Sequence, residues 1–424
     1  MKPGLVVVFS LLISFFACRE KPVNQPPNIV LIMADDLGVE VLSSYGGQSY
    51  STPNLDHLAA TGLRFTHCYS APKCAPSRVK IMTGRYAFRT TDQWGYIPPN
   101  EITFGHLLGQ AGYKVALAGK WQMALLKDEP DHVAKMGFPE NIVFGWHEGG
   151  RYYHPLIYEN GKIKTGIENQ YGPDIFCNYL IDFMERNKNR RFLAYYPMAL
   201  AHEISNDFKP PPAVGPRGRY DTYKEQVEYI DILVGRLIAA LDRLDLRERT
   251  VILFTGDNGT PREFITKIDK GDYIREPVFS LFGDTLLQGG KSLMTDGGTH
   301  VPLIANWPGV IRQGDISDEL IDFSDFMPTL AELAGAPLPE NVIIDGKSFA
   351  PVLFGEKRVP REWIYNEFRG EAWIRNKDWK LYRNGRFYHI TDDPFEKHDL
   401  SGAHLTETAR AMKENLQKQL NKLH

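Results

Sequence analysis

The sequence predicts an α/β fold in which a mostly parallel sheet lies between layers of helices. Two observations support this prediction. Short apolar runs, rich in β-branched residues and closed by glycine or polar residues, are typical of buried strands and occur at 28–34, 113–118, 192–196, 250–254 and 301–306. Segments with helical apolar spacing lie between them, at 54–62, 104–111 and 225–246. Such alternation indicates a sheet covered by helices on both faces.

The chain has 424 residues, which is enough for one large domain and one smaller domain. Gly335-Ala-Pro-Leu-Pro339 predicts a boundary between a domain over 28–336 and a C-terminal subdomain over 337–424. In this subdomain, Asn-Gly at 384–385 predicts a hairpin of a small antiparallel sheet, and a closing helix is expected over 406–422. The formal net charge of −3 indicates no basic surface, so nucleic acid is not an expected partner.

Residues 1–18 are expected to be an export signal and not part of the fold. Leu5 to Phe16 is an apolar run that is shorter than a membrane span of about 20 residues, and a polar linker follows over 19–27. The small residue before Cys18 resembles the cleavage site of bacterial lipoproteins, in which this cysteine becomes lipidated. An ordinary secretory signal is the alternative. We expect an exported protein of the periplasm, outer membrane or cell surface, held by a lipid anchor at Cys18.

If Cys18 is lipidated, three cysteines remain in the folded part of the chain, at positions 68, 74 and 177. An odd number of cysteines in an oxidising compartment leaves one unpaired thiol to explain. The count permits a disulfide between Cys68 and Cys177 without requiring it.

Polar side chains follow four of the predicted strands, beyond the carboxyl ends where α/β sheets bind ligands. They are Asp35 and Asp36, Lys120 and Gln122, His202, and Asp257 and Asn258. Adjacent carboxylates repel one another, so a site that buries them needs a cation. Three carboxylates and an amide oxygen suit Ca²⁺ or Mg²⁺ and are poor ligands for Zn²⁺. Taken separately, the two acidic pairs also fit a helix cap and a tight turn.

Cys74 opens the segment Cys74-Ala-Pro-Ser-Arg78, which predicts the start of a helix because Pro76 is tolerated in a first helical turn. The free amides of a helix N-terminus attract anions, and Arg78 is close enough in sequence to contact an anion held there. In this setting Cys74 is either a thiolate nucleophile or a buried, inert cysteine. The inert cysteine leaves the Pro-Ser-Arg context unexplained.

Together these segments resemble the type I sulfatases of the alkaline-phosphatase superfamily. Cys74-Ala-Pro-Ser-Arg78, followed by Thr83-Gly84-Arg85, is similar to the C-x-P-S-R…T-G motif of that family. The other matching residues follow in the family's order, from Asp35-Asp36 through Lys120, His202 and Asp257-Asn258 to Lys291. The resemblance runs from Asn28 to the end of the chain. It implies an alkaline-phosphatase-like fold and a sulfuric ester hydrolase that acts on sulfated carbohydrate.

The resemblance also implies a modified nucleophile and a metal. Cys74 would be oxidised to formylglycine by a separate partner, either a formylglycine-generating enzyme or an anaerobic maturation enzyme. One hydroxyl of the hydrated aldehyde would attack sulfur, and the other would expel sulfate. The implied ligands of Ca²⁺, with Mg²⁺ as the alternative, are Asp35, Asp36, Asp257, Asn258 and the modified Cys74.

The implied catalytic residues are Cys74, Arg78, Lys120, Gln122, His202 and Lys291. Three of them, Arg78, Lys120 and Lys291, would offset the charge of the sulfuryl group. His202, helped by Lys291, would protonate the departing oxygen.

Two positions depart from the family pattern. Gln122 stands where the family usually has a histidine that takes a proton during sulfate release, and glutamine cannot act as a general base near neutral pH. After Lys291 the chain has Thr-Asp-Gly-Gly-Thr-His at 295–300, where Glu-Gly-Gly-x-Arg is common, and His300 is expected to be structural. The aromatic loop 149–154 fits either a substrate entrance or an ordinary surface hairpin.

Two other functions stay open at this stage. The same scaffold could serve a phosphate or phosphonate ester hydrolase, although the maturation motif favours a sulfatase. The substitution at Gln122 also fits an inactive lipoprotein that only binds sulfated glycan, but the other matching polar residues argue against such decay.

Overall fold

The computed structural model describes residues 25–90, 93–145, 148–203, 222–270 and 272–423. Within these ranges the strands are β1 (Asn28–Ala34), β2 (Leu63–Tyr69), β3 (Lys114–Lys120), β4 (Glu140–Phe144), β5 (Ile157–Glu159), β6 (Lys162–Ile163), β7 (Phe192–Pro197), β8 (Thr250–Gly256), β9 (Glu263–Asp269), β10 (Asp272–Pro277), β11 (Phe279–Phe282), β12 (Thr285–Gln288), β13 (Leu303–Asn306), β14 (Asp315–Asp322), β15 (Ile364–Phe368), β16 (Glu371–Arg375), β17 (Trp379–Tyr382) and β18 (Phe387–His389).

The α-helices of the same ranges are α1 (Pro53–Ala60), α2 (Cys74–Thr83), α3 (Phe104–Gln110), α4 (His132–Lys135), α5 (Gly172–Arg186), α6 (Tyr223–Arg243), α7 (Asp296–Thr299), α8 (Phe326–Ala334), α9 (Ala350–Leu353) and α10 (Glu407–Leu420). The three helices predicted from apolar spacing correspond to α1, α3 and α6, and the helix start predicted at Cys74 is the start of α2. The start of α6 has a local cause, because Thr222 and Glu225 form a capping box.

The main sheet of the described residues has the strand order β14-β2-β13-β8-β1-β7-β3-β4-β5-β6. Its centre, from β8 to β4, consists of parallel pairs, which confirms the predicted mostly parallel sheet. One expectation was wrong. The segment predicted as a further parallel strand at 301–306 forms β13, which runs antiparallel to both β8 and β2. A short apolar run suits a buried strand in either direction, so its composition does not determine its direction.

Helices cover both faces of the main sheet. Successive side chains of a strand point to opposite faces, so Val30 and Ile32 of β1 pack with α1, α5 and α6. Ile29 and Leu31 of the same strand pack on the other face, with α2, α3 and α8. This double burial explains why β1 is continuously apolar.

Cys68 and Cys177 belong to the two separate cores formed by these layers. Cys177 lies in the core with α5 and α6, and Cys68 lies in the core with α2 and α8. Both thiols are free and buried. The disulfide that the cysteine count permitted is therefore not formed, because the main sheet separates the two side chains.

The C-terminal part contains an antiparallel sheet with the order β15-β16-β17-β18, as predicted. Asn384-Gly385 lies between β17 and β18, with Gly385 at a φ of 93°, in the predicted hairpin. The closing helix α10 packs Leu416 and Leu420 against Ile374 and Leu381 of this sheet.

The proposed signal residues 1–18, including Cys18, and positions 19–24 of the linker lie outside the described residues. Among the residues that the structure describes, no helix has the length and apolar character that a membrane crossing requires.

Candidate active site

The carboxyl ends of the central strands bring the predicted acidic residues to one edge of the sheet. Asp35 follows β1, Asp257 follows β8, and Cys74 is the first residue of α2. Each of these three residues offers one ligand atom, and the three atoms lie within 4.8 Å of one another. All three side chains are buried. Segments that are distant in sequence thus form one compact group around the N-terminus of α2.

Asp36 joins this group through hydrogen bonds. Its Oδ1 accepts a hydrogen bond from Asn258 Nδ2 at 2.8 Å, and its Oδ2 accepts one from Lys291 Nζ at 2.5 Å. The N–H of Asp36 donates to Asp257 Oδ1 at 3.0 Å. Tyr223, which the sequence did not single out, donates its hydroxyl hydrogen bond to the carbonyl oxygen of Asp36 at 2.7 Å. The two acidic pairs after β1 and β8 therefore form a single bonded unit.

Three cations face the three carboxylates. Lys120 Nζ lies 2.5 Å from Asp35 Oδ2, and Arg78 Nη2 lies 2.7 Å from Asp257 Oδ2. Arg78 also donates to the carbonyl oxygen of Lys120 at 3.1 Å, which ties α2 to the end of β3. With Lys291 on Asp36, the charges of the three acidic residues are balanced one for one. A further cation would make the site positive and attractive to an anionic ester.

The pKa values of Asp35 and Asp257 are shifted in opposite directions. Burial disfavours the charge of Asp35, but Lys120, His202 and Arg78 hold its pKa well below the usual range. For Asp257, burial and the neighbouring Asp35 carboxylate outweigh Arg78 and raise the pKa to about 7. Crowded carboxylates of this kind are stabilised by a bound cation.

The oxygen atoms of this group fit a hard divalent cation. Asp35 Oδ1 and Asn258 Oδ1 are buried and have no hydrogen-bond partner among the described residues. A buried oxygen without a partner is costly, and it indicates a missing ligand or ion. Carboxylate and amide oxygens are the ligands that Ca²⁺ and Mg²⁺ prefer. The set therefore suits the type of cation that the sequence predicted.

His202 lies after β7, and the hydroxyl of Tyr152 supports the backbone that carries it. The Tyr152 hydroxyl lies 2.7 Å from the carbonyl oxygen of Ala199 and 2.8 Å from that of His202. His202 Nδ1 lies 3.2 Å from the carbonyl oxygen of Glu203, so Nδ1 is the protonated nitrogen of the neutral ring and Nε2 is left for a ligand. Burial, with Lys291 and Arg151, lowers the pKa of His202 well below its ordinary value.

Tyr152 belongs to the aromatic loop 149–154, for which the sequence suggested a substrate entrance or a surface hairpin. Its central residues Arg151, Tyr152 and Tyr153 are buried. An ordinary surface hairpin is therefore excluded, and this loop supports the backbone around His202. The loop's aromatic composition was the available signal, but it did not distinguish a supporting role from a lining role.

Gln122 lies two residues after Lys120, in a left-handed backbone conformation with a φ of 58°. Its side chain is buried, and its Oε1 has no hydrogen-bond partner among the described residues. An unpaired amide oxygen at this place can accept a hydrogen bond from a bound group. It cannot take up a proton near neutral pH.

The loop that carries Lys291 packs tightly against the segment after β8. A Cβ atom on Gly259 would overlap the carbonyl oxygen of Gly297, and a Cβ atom on Gly290 would overlap the backbone of the same residue. Only glycine permits such close approach of two backbones. The glycines of this region therefore determine how near Lys291 comes to Asp36.

The C-terminal sheet holds the same loop from the other side. Arg375 Nη1 donates to both carboxylate oxygens of Asp296, at 2.7 and 2.8 Å, and Lys380 Nζ donates to the carbonyl oxygen of Met294 at 2.7 Å. His300, which follows α7, stacks on Tyr69 with ring centroids 4.9 Å apart. These contacts are consistent with the predicted structural role of His300.

A cavity of about 350 Å³ opens beside this group. Its lining includes Asp36 and Lys291, together with Lys73 and Arg275. Lys73 precedes Cys74 and was not predicted as a site residue, because a lysine in a polar segment resembles any solvated surface charge. Its place in the wall brings a further positive charge to the cavity.

Comparison with known proteins gives consistent matches. The family model described as "Sulfatase" matches residues 27–336, and the model described as "N-sulphoglucosamine sulphohydrolase, C-terminal" matches residues 289–424. The dog N-acetylgalactosamine-6-sulfatase is 31% identical over 411 residues, which cover 85% of this chain and 74% of that protein. Human arylsulfatase A is 32% identical over 402 residues, which cover 85% of this chain and 75% of that protein.

Solved structures agree with these relatives. The crystal structure of Ps i-CgsB has a TM-score of 0.75 and 28% identity, and it covers 94% of this chain and 93% of its own. A Bacteroides thetaiotaomicron structure from work on the metabolism of multiple glycosaminoglycans has a TM-score of 0.76, 22% identity and coverage of 94% and 99%. At this identity the second match shows the fold alone. A family model over more than half of the chain and relatives above 30% identity show that the chain belongs to the sulfatase family and is a sulfuric ester hydrolase.

Proposed function

We propose that the protein hydrolyses sulfate esters of carbohydrate, with a formylglycine derived from Cys74 as its nucleophile and Ca²⁺, or alternatively Mg²⁺, bound beside it. The observation that carries this proposal is the position of Cys74. It lies at the N-terminus of a helix, within 4.8 Å of ligand atoms of Asp35 and Asp257. A cysteine among carboxylates and cations suits a precursor of a metal-bound group better than it suits an inert core residue.

The cation would be held by Asp35, Asp36, Asp257, Asn258 and the modified Cys74. When bound, it would lower the pKa of a coordinated hydroxyl and polarise an oxygen of the sulfate group. The unpaired oxygens of Asp35 and Asn258 support this assignment. The hydrated formylglycine would supply two hydroxyls, one to attack sulfur and one to release sulfate.

The other proposed catalytic residues surround this group. Arg78, Lys120 and Lys291 are donors that would stabilise the negative charge spread over the sulfuryl oxygens. His202 would donate a proton to the leaving oxygen from Nε2. Its imidazole is neutral in the free enzyme, and the anionic sulfate of a bound substrate favours the protonated form.

Gln122 would orient the substrate or the hydrated aldehyde through the amide oxygen that has no partner in the described residues. Because an amide does not titrate near neutral pH, this role involves no proton transfer. Lys120 is held as a cation by Asp35, so a positioned water is the proposed acceptor of the proton that leaves during sulfate release.

The carbohydrate assignment is supported by the relatives. One is named N-acetylgalactosamine-6-sulfatase, and Ps i-CgsB has also been solved in complex with k-i-k-neocarrahexaose. The two alternative functions make different predictions. A phosphate or phosphonate esterase would hydrolyse phosphate esters faster than sulfate esters, and a glycan-binding protein without activity would bind sulfated saccharides and turn over none.

The test combines mass spectrometry with turnover. We expect the peptide that contains Cys74 to carry the aldehyde in active protein, and we expect this protein to hydrolyse members of a panel of defined sulfated saccharides. Cys74→Ser should abolish turnover even when the maturation enzyme is co-expressed, because serine provides no second hydroxyl. Cys177→Ala, which removes a buried thiol on the opposite face of the sheet, is the matched control and should stay active. Full activity with unmodified Cys74 would contradict the proposal.

We also propose that residues 28–336 form the catalytic domain and that residues 337–424 form a C-terminal subdomain.

A further proposal is that the protein is exported with a lipid on Cys18. The apolar run before Cys18 supports the export proposal. Labelled fatty acid should enter the wild-type protein and not Cys18→Ala, and the lipidated form should sediment with membranes. Equal labelling of both proteins would contradict the anchor.

A further inference from the structure

A second and larger cavity lies on the other side of Lys73. It has a volume of about 700 Å³, and it lies between the start of α2, residues 87–88 and 93–96, and the turn that joins β15 to β16. Lys73, Ala75 and Pro76 line it, so the residues on both sides of Cys74 in the chain face this cavity. Lys73 also lines the smaller cavity, which contains Asp36 and Lys291. A molecule bound at the catalytic group could therefore continue past Lys73 into the larger space.

The wall of this larger cavity presents exposed aromatic surface. Trp94 is 48% exposed, and its ring centroid lies 6.3 Å from that of Phe368. Phe88 is a further exposed aromatic residue of the same wall. Large apolar side chains left exposed inside a concave surface are typical of ligand sites. The flat faces of such rings suit the C–H face of a sugar ring.

The turn between β15 and β16 contributes a cation at a conformational cost. Phe368 pairs with Glu371, so Arg369 and Gly370 form a two-residue turn, with φ values of 50° and 84°. Gly370 adopts this left-handed conformation readily, whereas an arginine there is strained by about 1 kcal/mol or more. A strained backbone at a cavity is a common mark of a functional position. The tight turn also gives Arg369 a defined place.

The acidic residues of the cavity have other partners, so the positive charges of Arg369 and Lys73 can bind a ligand. Glu367 accepts hydrogen bonds from the N–H of Phe88 and the hydroxyl of Tyr365, both at 2.9 Å. Glu371 pairs with Arg386. By contrast, no carboxylate of the described residues forms an ion pair with Arg369 or Lys73. The guanidinium of Arg369 lies 5.2 Å from the centre of the Phe368 ring.

We propose that this second cavity binds the sugar next to the sulfated one, so that the enzyme acts on oligosaccharides. The neighbouring sugar stacks on Trp94, and Arg369 binds an anionic group on that sugar. This inference rests on the proposed function, because it takes the sulfated sugar to lie at Cys74. The anionic group is either a sulfate or a uronic acid carboxylate, and both have oxygen pairs that match a guanidinium.

The experiment compares long and short substrates of the matured enzyme. The long probes are sulfated tetrasaccharides and hexasaccharides from ι-carrageenan, in which both neighbouring sugars carry sulfate, and from chondroitin sulfate, in which the neighbouring sugar carries a carboxylate. The short probes are the corresponding sulfated monosaccharides. We expect the wild-type kcat/KM to be at least tenfold higher for a long probe than for its monosaccharide. The series with the higher kcat/KM shows whether the second site binds a sulfate or a carboxylate.

Variants test the two named contacts. Trp94→Ala and Arg369→Ala should each lower kcat/KM on the preferred long probe about tenfold, mainly through KM, and should leave the monosaccharide unaffected. Phe395 and Lys397 form a matched aromatic and cationic pair outside the cavity lining, with Lys397 Nζ 5.3 Å from the ring centre. Phe395→Ala and Lys397→Ala are therefore the controls and should leave both values unchanged.

Each failure has a distinct pattern. Equal wild-type kcat/KM on long and short probes would overturn this inference and leave the sulfatase proposal intact. If Trp94→Ala or Arg369→Ala lowered kcat/KM by the same factor on the long probe and on the monosaccharide, this inference would also be overturned and the sulfatase proposal would stand. A matured wild-type enzyme that hydrolyses no sulfated saccharide would contradict the proposed function, and the second sugar site with it.

Discussion

Asp257 is a buried carboxylate whose pKa is raised both by burial and by the neighbouring Asp35 carboxylate. It touches Arg78 and the N–H of Asp36, and it is crowded by Asp35. Asp257→Ala should remove a proposed metal ligand and leave Arg78 without its closest partner. We expect loss of bound metal and of turnover, measured by elemental analysis of the purified protein and by kcat/KM.

A matched control for this change is Asp231→Ala. The Asp231 carboxylate is also well buried, but it accepts hydrogen bonds from the N–H groups of Asn54 and Leu55 at the start of α1. Its loss should lower stability by about 0.5–2 kcal/mol, as loss of a helix cap does, without changing metal content. An Asp257→Ala enzyme with full metal content and full activity would refute the ligand assignment.

His202 and Gln122 should differ in how strongly their loss affects a sugar substrate. Protonation of a poor alkoxide leaving group has no easy substitute, so His202→Ala should lower kcat/KM on a sugar sulfate by about 10²–10⁴-fold or more. On an aryl sulfate, whose phenolate leaves readily, the loss should be much smaller. Gln122→Ala should cost distinctly less than His202→Ala on the sugar.

The measurement is kcat/KM of both variants on both substrates. Gln122→Glu is a useful companion, because it keeps the size of the side chain and introduces a group that can carry a proton. If Gln122→Ala is as damaging as His202→Ala on the sugar, Gln122 has a larger part in the reaction than orientation.

At the residue scale, the sequence located the polar groups but not what supports them. Asp35, Asp36, Asp257 and Asn258 follow strands, so their meeting could be predicted from where parallel strands end. Tyr152 and Tyr223 could not be predicted, because they act through hydroxyl bonds to backbone carbonyls that come close only in the folded chain. A tyrosine in a helix or loop has the same sequence pattern whether it packs or supports a site.

Among the secondary-structure elements, the loop of Lys291 depends on the glycines that let it approach β8. Gly259→Ala should force that loop away, because the new Cβ would overlap the carbonyl oxygen of Gly297. We expect a loss of stability of about 1–3 kcal/mol or more, together with a strong loss of activity. Urea unfolding and kcat/KM on one sulfated substrate are the measurements.

Gly109→Ala provides the contrast in α3. A Cβ atom there would meet nothing within 4 Å. This change should be neutral or stabilise the protein by about 0.5–1 kcal/mol, because alanine loses less backbone entropy than glycine. Similar destabilisation by both changes would mean that the close backbone contact at Gly259 is not the cause.

The elements differ in how well the sequence predicted them. The bounds of β1 agree with the prediction because seven apolar or amide residues end abruptly at two aspartates. No strand was predicted for β2, since Arg64, Thr66 and His67 interrupt its apolar residues. The direction of β13 was wrong because direction depends on where the chain returns to the sheet. The residue composition of a strand does not determine where the chain enters the sheet.

At the scale of the whole molecule, Arg375 joins the C-terminal sheet to the loop of Lys291. Burial disfavours ionisation of Asp296, but Arg375 lowers the pKa of that carboxyl group to about 2. Arg375→Ala would leave the partly exposed Asp296 carboxylate without its main partner, and loss of a hydrogen bond to a charged group typically costs about 1.5–3 kcal/mol. We expect this loss in urea unfolding, with reduced activity because the loop that carries Lys291 loses its anchor.

Arg386→Ala is the control for Arg375→Ala. Arg386 pairs with Glu371 on the surface of the same sheet, where water screens the interaction, so its loss should cost less than 1 kcal/mol or so. If the two variants unfold at the same urea concentration, the contact between Arg375 and Asp296 does not hold the two parts together.

The strand order of the main sheet also determines when the fold can form during synthesis. The central strand β1 pairs with β7 and β8, and its first residue, Asn28, lies 222 residues before its partner Thr250. At about 5–20 residues per second, a ribosome needs on the order of 10–40 s to add that length. The site around Cys74 cannot close in this interval, because Asp257 has not yet been made. If Cys74 is modified as proposed, we expect the modifying enzyme to reach it in this period, before the sheet buries it.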